Sequence, residues 1–178
     1  MTKSFADKHN VKSVQDIVAK KLPIRIAINR RGNMDADVGE AAMNLLGISR
    51  KNVNAWGGQV VHAASKEIVS LVSDRRLDVV LFGISFNHPR VREIAKSASP
   101  VLLSYGKENA EKVAKKFGGE VCQVKPGEYK WSAAGNYSVY AWEQWLWRMP
   151  IWMKSWRTQL LKLCSTRLRP LRISLIGS

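Results

Sequence analysis

The chain has 178 residues, 46% apolar and 24% charged, which is enough apolar material for a packed core and too much for global disorder. Its formal net charge of +15 admits nucleic acid, acidic membrane surfaces or anionic solutes as partners. Two cysteines, Cys122 and Cys164, exclude a disulfide scaffold or multi-cysteine zinc site, three scattered histidines argue against a histidine metal cluster, and no apolar run approaches the ~20 residues of a membrane-spanning helix.

The charge is unevenly spread. Residues 1–140 carry 22 basic and 13 acidic side chains, whereas residues 141–178 carry seven basic side chains and the single acid Glu143. Five of the seven tryptophans fall between Trp142 and Trp156. The front of the chain therefore reads as an ordinary α/β sequence and the back as something else.

In chain order, residues 13–20 (SVQDIVAK) read as a short helix that Ser13 can cap, with Val14, Ile17 and Val18 on one face. Residues 23–29 (PIRIAIN) alternate and are rich in isoleucine, which predicts a strand. After the loop 30–35 (RRGNMD), residues 36–46 form a helix with Val38, Ala41, Ala42, Leu45 and Leu46 on one side, stopped at Gly47. Residues 52–56 (NVNAW) are read as a strand broken by Gly57 and Gly58, and 62–75 as a helix. The run 77–84 (LDVVLFGI) is continuously apolar and β-branched, as in a parallel strand buried on both faces. A loop at 85–89 opens a helix with Asn87 as candidate N-cap and Pro89 in the first turn. Residues 100–105 read as a strand, 107–117 as a helix and 120–125 as a last short strand. Strand and helix alternate, which predicts an α/β fold with a mostly parallel sheet flanked by helices.

In open α/β sheets ligands bind beyond the carboxyl ends of the strands. Two strand–loop–helix junctions present such an end here, IAIN-RRGNMDAD and VVLFGIS-FNHPRV. Each loop leads into a helix N-terminus, whose free N–H groups can seat an anion, with Arg30 and Arg31 adding charge. Asp35 and Asp37 oppose an anion, and on spacing alone a capping Asp35 with solvated arginines is the plainer reading. The glycine spacing of a P-loop or a dinucleotide fingerprint is absent. His62 and His88 read as ordinary surface or loop residues, Cys122 as a small buried hydrophobe, and the lysines at 107, 112, 115 and 116 as a solvated helix face.

The stretches SVQDIVAKKLPIRIAINRRGNMDADVGEAAMNLLGIS and SKEIVSLVSDRRLDVVLFGISFNHPRVREIA, followed by KPGEYKW, resemble the middle of a TAXI-family solute receptor of a TRAP transporter. The resemblance covers about residues 5–131. It implies a partial type II periplasmic-binding-protein fold, residues 1–22 as a lead-in or crossover segment and residues 23–131 as an α/β lobe. It implies a small carboxylate ligand, such as an amino or organic acid, with no catalysis, no cofactor and no metal. The implied ligand-binding residues are Arg31, Gly32, Asn33, Met34 and Asp35 in the first loop and Ser85, Phe86 and Asn87 in the second. TRAP membrane subunits are the implied partners, with no specific nucleic acid, and the family's compartment is the periplasm.

The chain departs from that pattern at both ends. MTKSFADKHNVKS has no apolar stretch of an export signal, so as written the chain is expected to stay cytoplasmic as an internal fragment. Residues 132–178 read as an out-of-frame tail rather than a native domain, because permitted codons from Ala141 onward, read in a shifted frame, can encode an acidic, alanine-rich helix. The alternative takes the tail at face value. AWEQWLWRMPIWMKSWRTQLLKL is basic and aromatic, as segments that bind membrane surfaces or single-stranded nucleic acid are, although Pro150 interrupts it.

Overall fold

The computed structural model of the chain describes residues 1–85, 88–117, 120–125, 127, 129, 131, 136–140 and 171–176. The elements are α1 (Lys3–His9), α2 (Val14–Ala19), β1 (Arg25–Ile28), α3 (Met34–Leu45), α4 (Arg50–Ala55), β2 (Gln59–His62), α5 (Ser65–Ser73), β3 (Val79–Ser85), α6 (Pro89–Ser97), α7 (Lys107–Phe117), β4 (Glu120–Val124), β5 (Asn136–Tyr140) and β6 (Leu171–Ile176). The fold is mixed α/β.

One six-stranded sheet runs in the order β2-β1-β3-β6-β5-β4. β1 pairs in parallel with β2 and with β3, whereas the β3–β6, β5–β6 and β4–β5 pairs are antiparallel. The expected mostly parallel sheet is thus only half of what forms. β4 and β5 are consecutive strands of the described chain and pair antiparallel, from Glu120 with Tyr140 to Val124 with Asn136.

The alternation of side chains along β1 and β3 explains the layers. Ile26, Ile28, Val79 and Leu81 face a core completed by Val14 and Ile17 of α2, Ala42 and Met43 of α3, and Val113 of α7. Ala27, Val80 and Phe82 face the other way, onto Ile68 and Val72 of α5 and Ile94 of α6. Both faces of the parallel strands are covered, which is why their sequence is continuously apolar. The buried stripe of α3 is rotated from the expected one. Met43 is inside, while Leu45 is 37% exposed.

Local sequence accounts for most of the elements. Ser13 and Asp16 form a capping box on α2, and Gly47, at φ +78°, follows the C-cap of α3. Residues 52–56, expected as a strand, belong instead to α4, because Ser49 Oγ accepts from Asn52 N–H and caps a helix there. The strand comes after the turn, at Gln59. Any side chain at Gly58 would collide with the backbone of Ile24, so glycine is what lets β2 start against β1. The helix expected from residue 62 therefore starts only at Ser65. Residues 100–105 form no strand of the sheet. They bridge to Thr2 and Ser13, and Val14 N–H donates to the Ser104 carbonyl, so the segment lies along the N-terminal residues. The N-cap of α6 is His88 rather than Asn87, its ring accepting from Arg90 N–H with Pro89 in the first turn.

The chain leaves β1 through α3, which lies on one face, and leaves β2 through α5, which lies on the other. The winding reverses between β1 and β3, and the carboxyl ends of strands at such a reversal are where open α/β sheets bind ligands.

Candidate functional site at the carboxyl ends of the parallel strands

Three strand ends meet at this edge. β1 ends at Ile28 and passes to Asn29, β2 ends at His62, and β3 ends at Ser85. Asn29 organises the centre. Its Oδ1 accepts from Arg30 N–H at 2.9 Å and its Nδ2 donates to Asp35 Oδ2 at 3.3 Å. Asp35 sits in the first turn of α3, with its own N–H donating to Asn33, the N-cap. Its carboxylate reaches back over β3 and occupies the space above Gly83. A Cβ at position 83 would overlap Asp35 Oδ1 and lie 3.2 Å from Cγ.

Partial burial pushes the Asp35 carboxyl above its ordinary range, opposed by the Asn29 hydrogen bond and by attraction to His88. A carboxylate held against desolvation beside one amide donor is short of positive partners. Arg30 and Arg31 stand exposed on the adjoining loop, as does Gly32 at φ +77°.

Next to this centre, His62 lies at the end of β2 with a side chain only 12% exposed. Its Nδ1 is 3.0 Å from the Asn29 carbonyl. Its Nε2 meets both Glu40 Oε1, at 3.0 Å, and Arg50 Nη2. Arg50 Nη2 also donates to Glu40 Oε1 at 3.2 Å. The Arg50 and His62 contacts outweigh partial burial and hold the Glu40 carboxyl below its ordinary range. His62 is therefore not the ordinary surface residue expected, and His88 is a helix cap that also acts on Asp35.

Of the expected binding residues, Asp35 is at the centre. Asn33 caps α3 with its side-chain oxygen already used, and Arg31 and Gly32 line the exposed loop. The Met34 and Ser85 side chains, and Phe86 and Asn87 altogether, lie outside the described residues, as do the side chain of Cys122 and the whole Trp-rich segment 141–170. The sequence reading missed Asn29, Glu40, Arg50, His62 and Gly83. The signal for Asn29 was its place as the first residue beyond a strand. The signal for His62 was hidden by the misplaced second strand.

The expected anion seat meets an obstacle. The first turns of α3 and α6 each already have one N–H taken by the caps Asn33 and His88, and the Asp35 carboxylate lies over Gly83 of β3. A bare anion would be repelled there, whereas a solute carrying an ammonium group beside its carboxylate would match Asp35 and the loop arginines together. Among the described residues no group of three or more His, Cys, Asp or Glu is placed to hold a metal ion, and no helix is long and apolar enough to cross a membrane. The lysines of α7 are exposed, with Lys112 and Lys107 facing Glu108 and Glu111. No protein-family model matches the chain, and no curated protein matches it either.

Proposed function

We propose that the chain is a solute-binding subunit of a TRAP-type transporter of the TAXI kind, without catalytic activity, and that its solute is a small carboxylic acid bearing an amine. The type II periplasmic-binding-protein fold, the periplasmic compartment and the TRAP membrane subunits as partners belong to the same proposal, resting on the sequence resemblance. The observation that carries the choice of solute is the half-buried Asp35 carboxylate. It lies over Gly83 at the carboxyl ends of β1 and β3, next to a loop with two exposed arginines. Asp35 would take the ammonium, and Arg30 or Arg31 together with the first turn of α3 would take the carboxylate. The loop face of the site is exposed, so solvent screening keeps the affinity near ~1 mM, about −4 kcal/mol.

Calorimetry with a series of α-amino acids and their α-hydroxy counterparts tests this. The amino compounds should bind and the hydroxy compounds should not. Equal binding of both series would remove the role of Asp35.

A further inference from the structure

The contacts of His62 cannot all be satisfied in one protonation state. The Asn29 carbonyl can only accept, so at 3.0 Å it requires a hydrogen on His62 Nδ1. With Nδ1 protonated, Nε2 is either a bare acceptor or a second N–H. As an acceptor it suits Arg50 Nη2, a pure donor, and opposes the lone pairs of Glu40 Oε1. As a donor it suits Glu40 and opposes Arg50. Each protonation state satisfies one neighbour at the expense of the other.

We infer that His62 is a proton-operated positioning residue that holds Arg50 when neutral and Glu40 when charged, and thereby sets the charge beside Asp35. The groups facing the ring are Glu40 from α3, Arg50 from α4 and the Asn29 carbonyl after β1. Arg50 also reaches the Val60 carbonyl, so α4 is tied to β2 on the same side. With His62 neutral, Arg50, Glu40 and His62 sum to zero charge. With His62 protonated they sum to +1, one residue away from the Asp35 carboxylate that Asn29 holds. The added positive charge competes with an ammonium at Asp35. Protonation of His62 should weaken binding of an amine-bearing solute about fivefold. This last consequence rests on the solute reading above; the switch itself does not.

The test is nitrogen and carbon NMR of the full chain without solute, followed as the pH is lowered. Neutral His62 should be the Nδ1–H form, the less common one for a histidine in water. At one fixed pH, Glu40→Gln should lower the protonated fraction of His62 by removing the negative charge that faces it, and Arg50→Met should raise it by removing the repulsion. The Asp35 carboxyl carbon should respond to His62. His88 also faces Asp35, so this is read in a His88→Asn background, which keeps an N-cap. A neutral Nε2–H form, or shifts of the same sign in the two variants, would overturn the inference. If the NMR results hold and no solute binds at any pH, the proton switch stands and the solute reading falls.

Discussion

The carboxylate of Asp35 fills the space that a side chain on Gly83 would occupy. One residue opens α3 and the other lies near the end of β3, so this pair joins helix to strand at the edge where the proposed solute would bind. Val79, Leu81 and Gly83 share the face of β3 that looks toward α3. The first two pack in the core, and the third gives way to an acid.

Gly83→Ala should therefore destabilise the chain by about 1–3 kcal/mol, the usual range for inserting a methyl group where there is no room. The backbone at Gly83 is outside the left-handed region, so alanine itself is not strained there. In an Asp35→Ala background the same change should be close to neutral. Chemical denaturation of the four proteins of this cycle reads the coupling, and additive effects would show that the two residues do not compete for one space.

Asp35 should weaken the fold at neutral pH. Its carboxyl lies above the ordinary range in the folded chain, so the folded state holds its proton more tightly than the unfolded state does. Stability then falls as pH rises from the ordinary carboxylate range, about pH 4, through the raised folded value, and stays reduced above it. Asp35→Asn can still accept from Asn29 and carries no charge. It should be more stable than the parent at pH 7, with the difference vanishing near pH 3. A parent that is the more stable of the two at pH 7 would mean that unseen positive groups compensate the buried charge.

Much of this architecture is legible in the residues. The capping box at Ser13 and Asp16, the alternation through Ile26 and Ile28, and the doubly buried run through Val79 to Phe82 are local signals that tertiary packing reinforces. What was not legible depended on distant partners. Residues 100–105 have the composition of a strand, yet their backbone groups are taken by Met1 and Val14 rather than by the sheet. At residues 52–56 the β-branched Val53 is outweighed by the Ser49 cap. The second strand was consequently displaced by several residues, and with it His62, so the contacts from Asn29 through His62 to Glu40 and Arg50 could not be assembled from spacing. Gly83 reads as one more apolar position in a strand until Asp35 is placed over it.

The opposite edge of the sheet has a structural role that can be separated from solute binding. Asp78, 5% exposed, accepts from Arg25 N–H and from both Nε and Nη2 of its guanidinium, at 2.7–2.9 Å. Asp78→Ala leaves the Arg25 N–H without its acceptor, while the guanidinium, on a side chain 44% exposed, can turn to water, so the change should cost about 1–3 kcal/mol. The double substitution Arg25→Met with Asp78→Leu should recover part of the loss, since an apolar side chain then takes the place of the desolvated Asp78 carboxylate. Urea denaturation checks both, and neither variant should alter the pH response of His62.

The central claim is that a small amine-bearing carboxylic acid binds where β1 and β3 end. Amide chemical-shift mapping of the full chain during titration with glutamate or glycine tests it most directly, with Asp35→Asn as the matched control. The account predicts shifts confined to residues 29–37, 62 and 83–88, saturating near ~1 mM and abolished by Asp35→Asn. Shifts confined to the lysine-bearing helix Lys107–Phe117, unchanged in Asp35→Asn, would mean that the solute is held by diffuse surface charge and would contradict it.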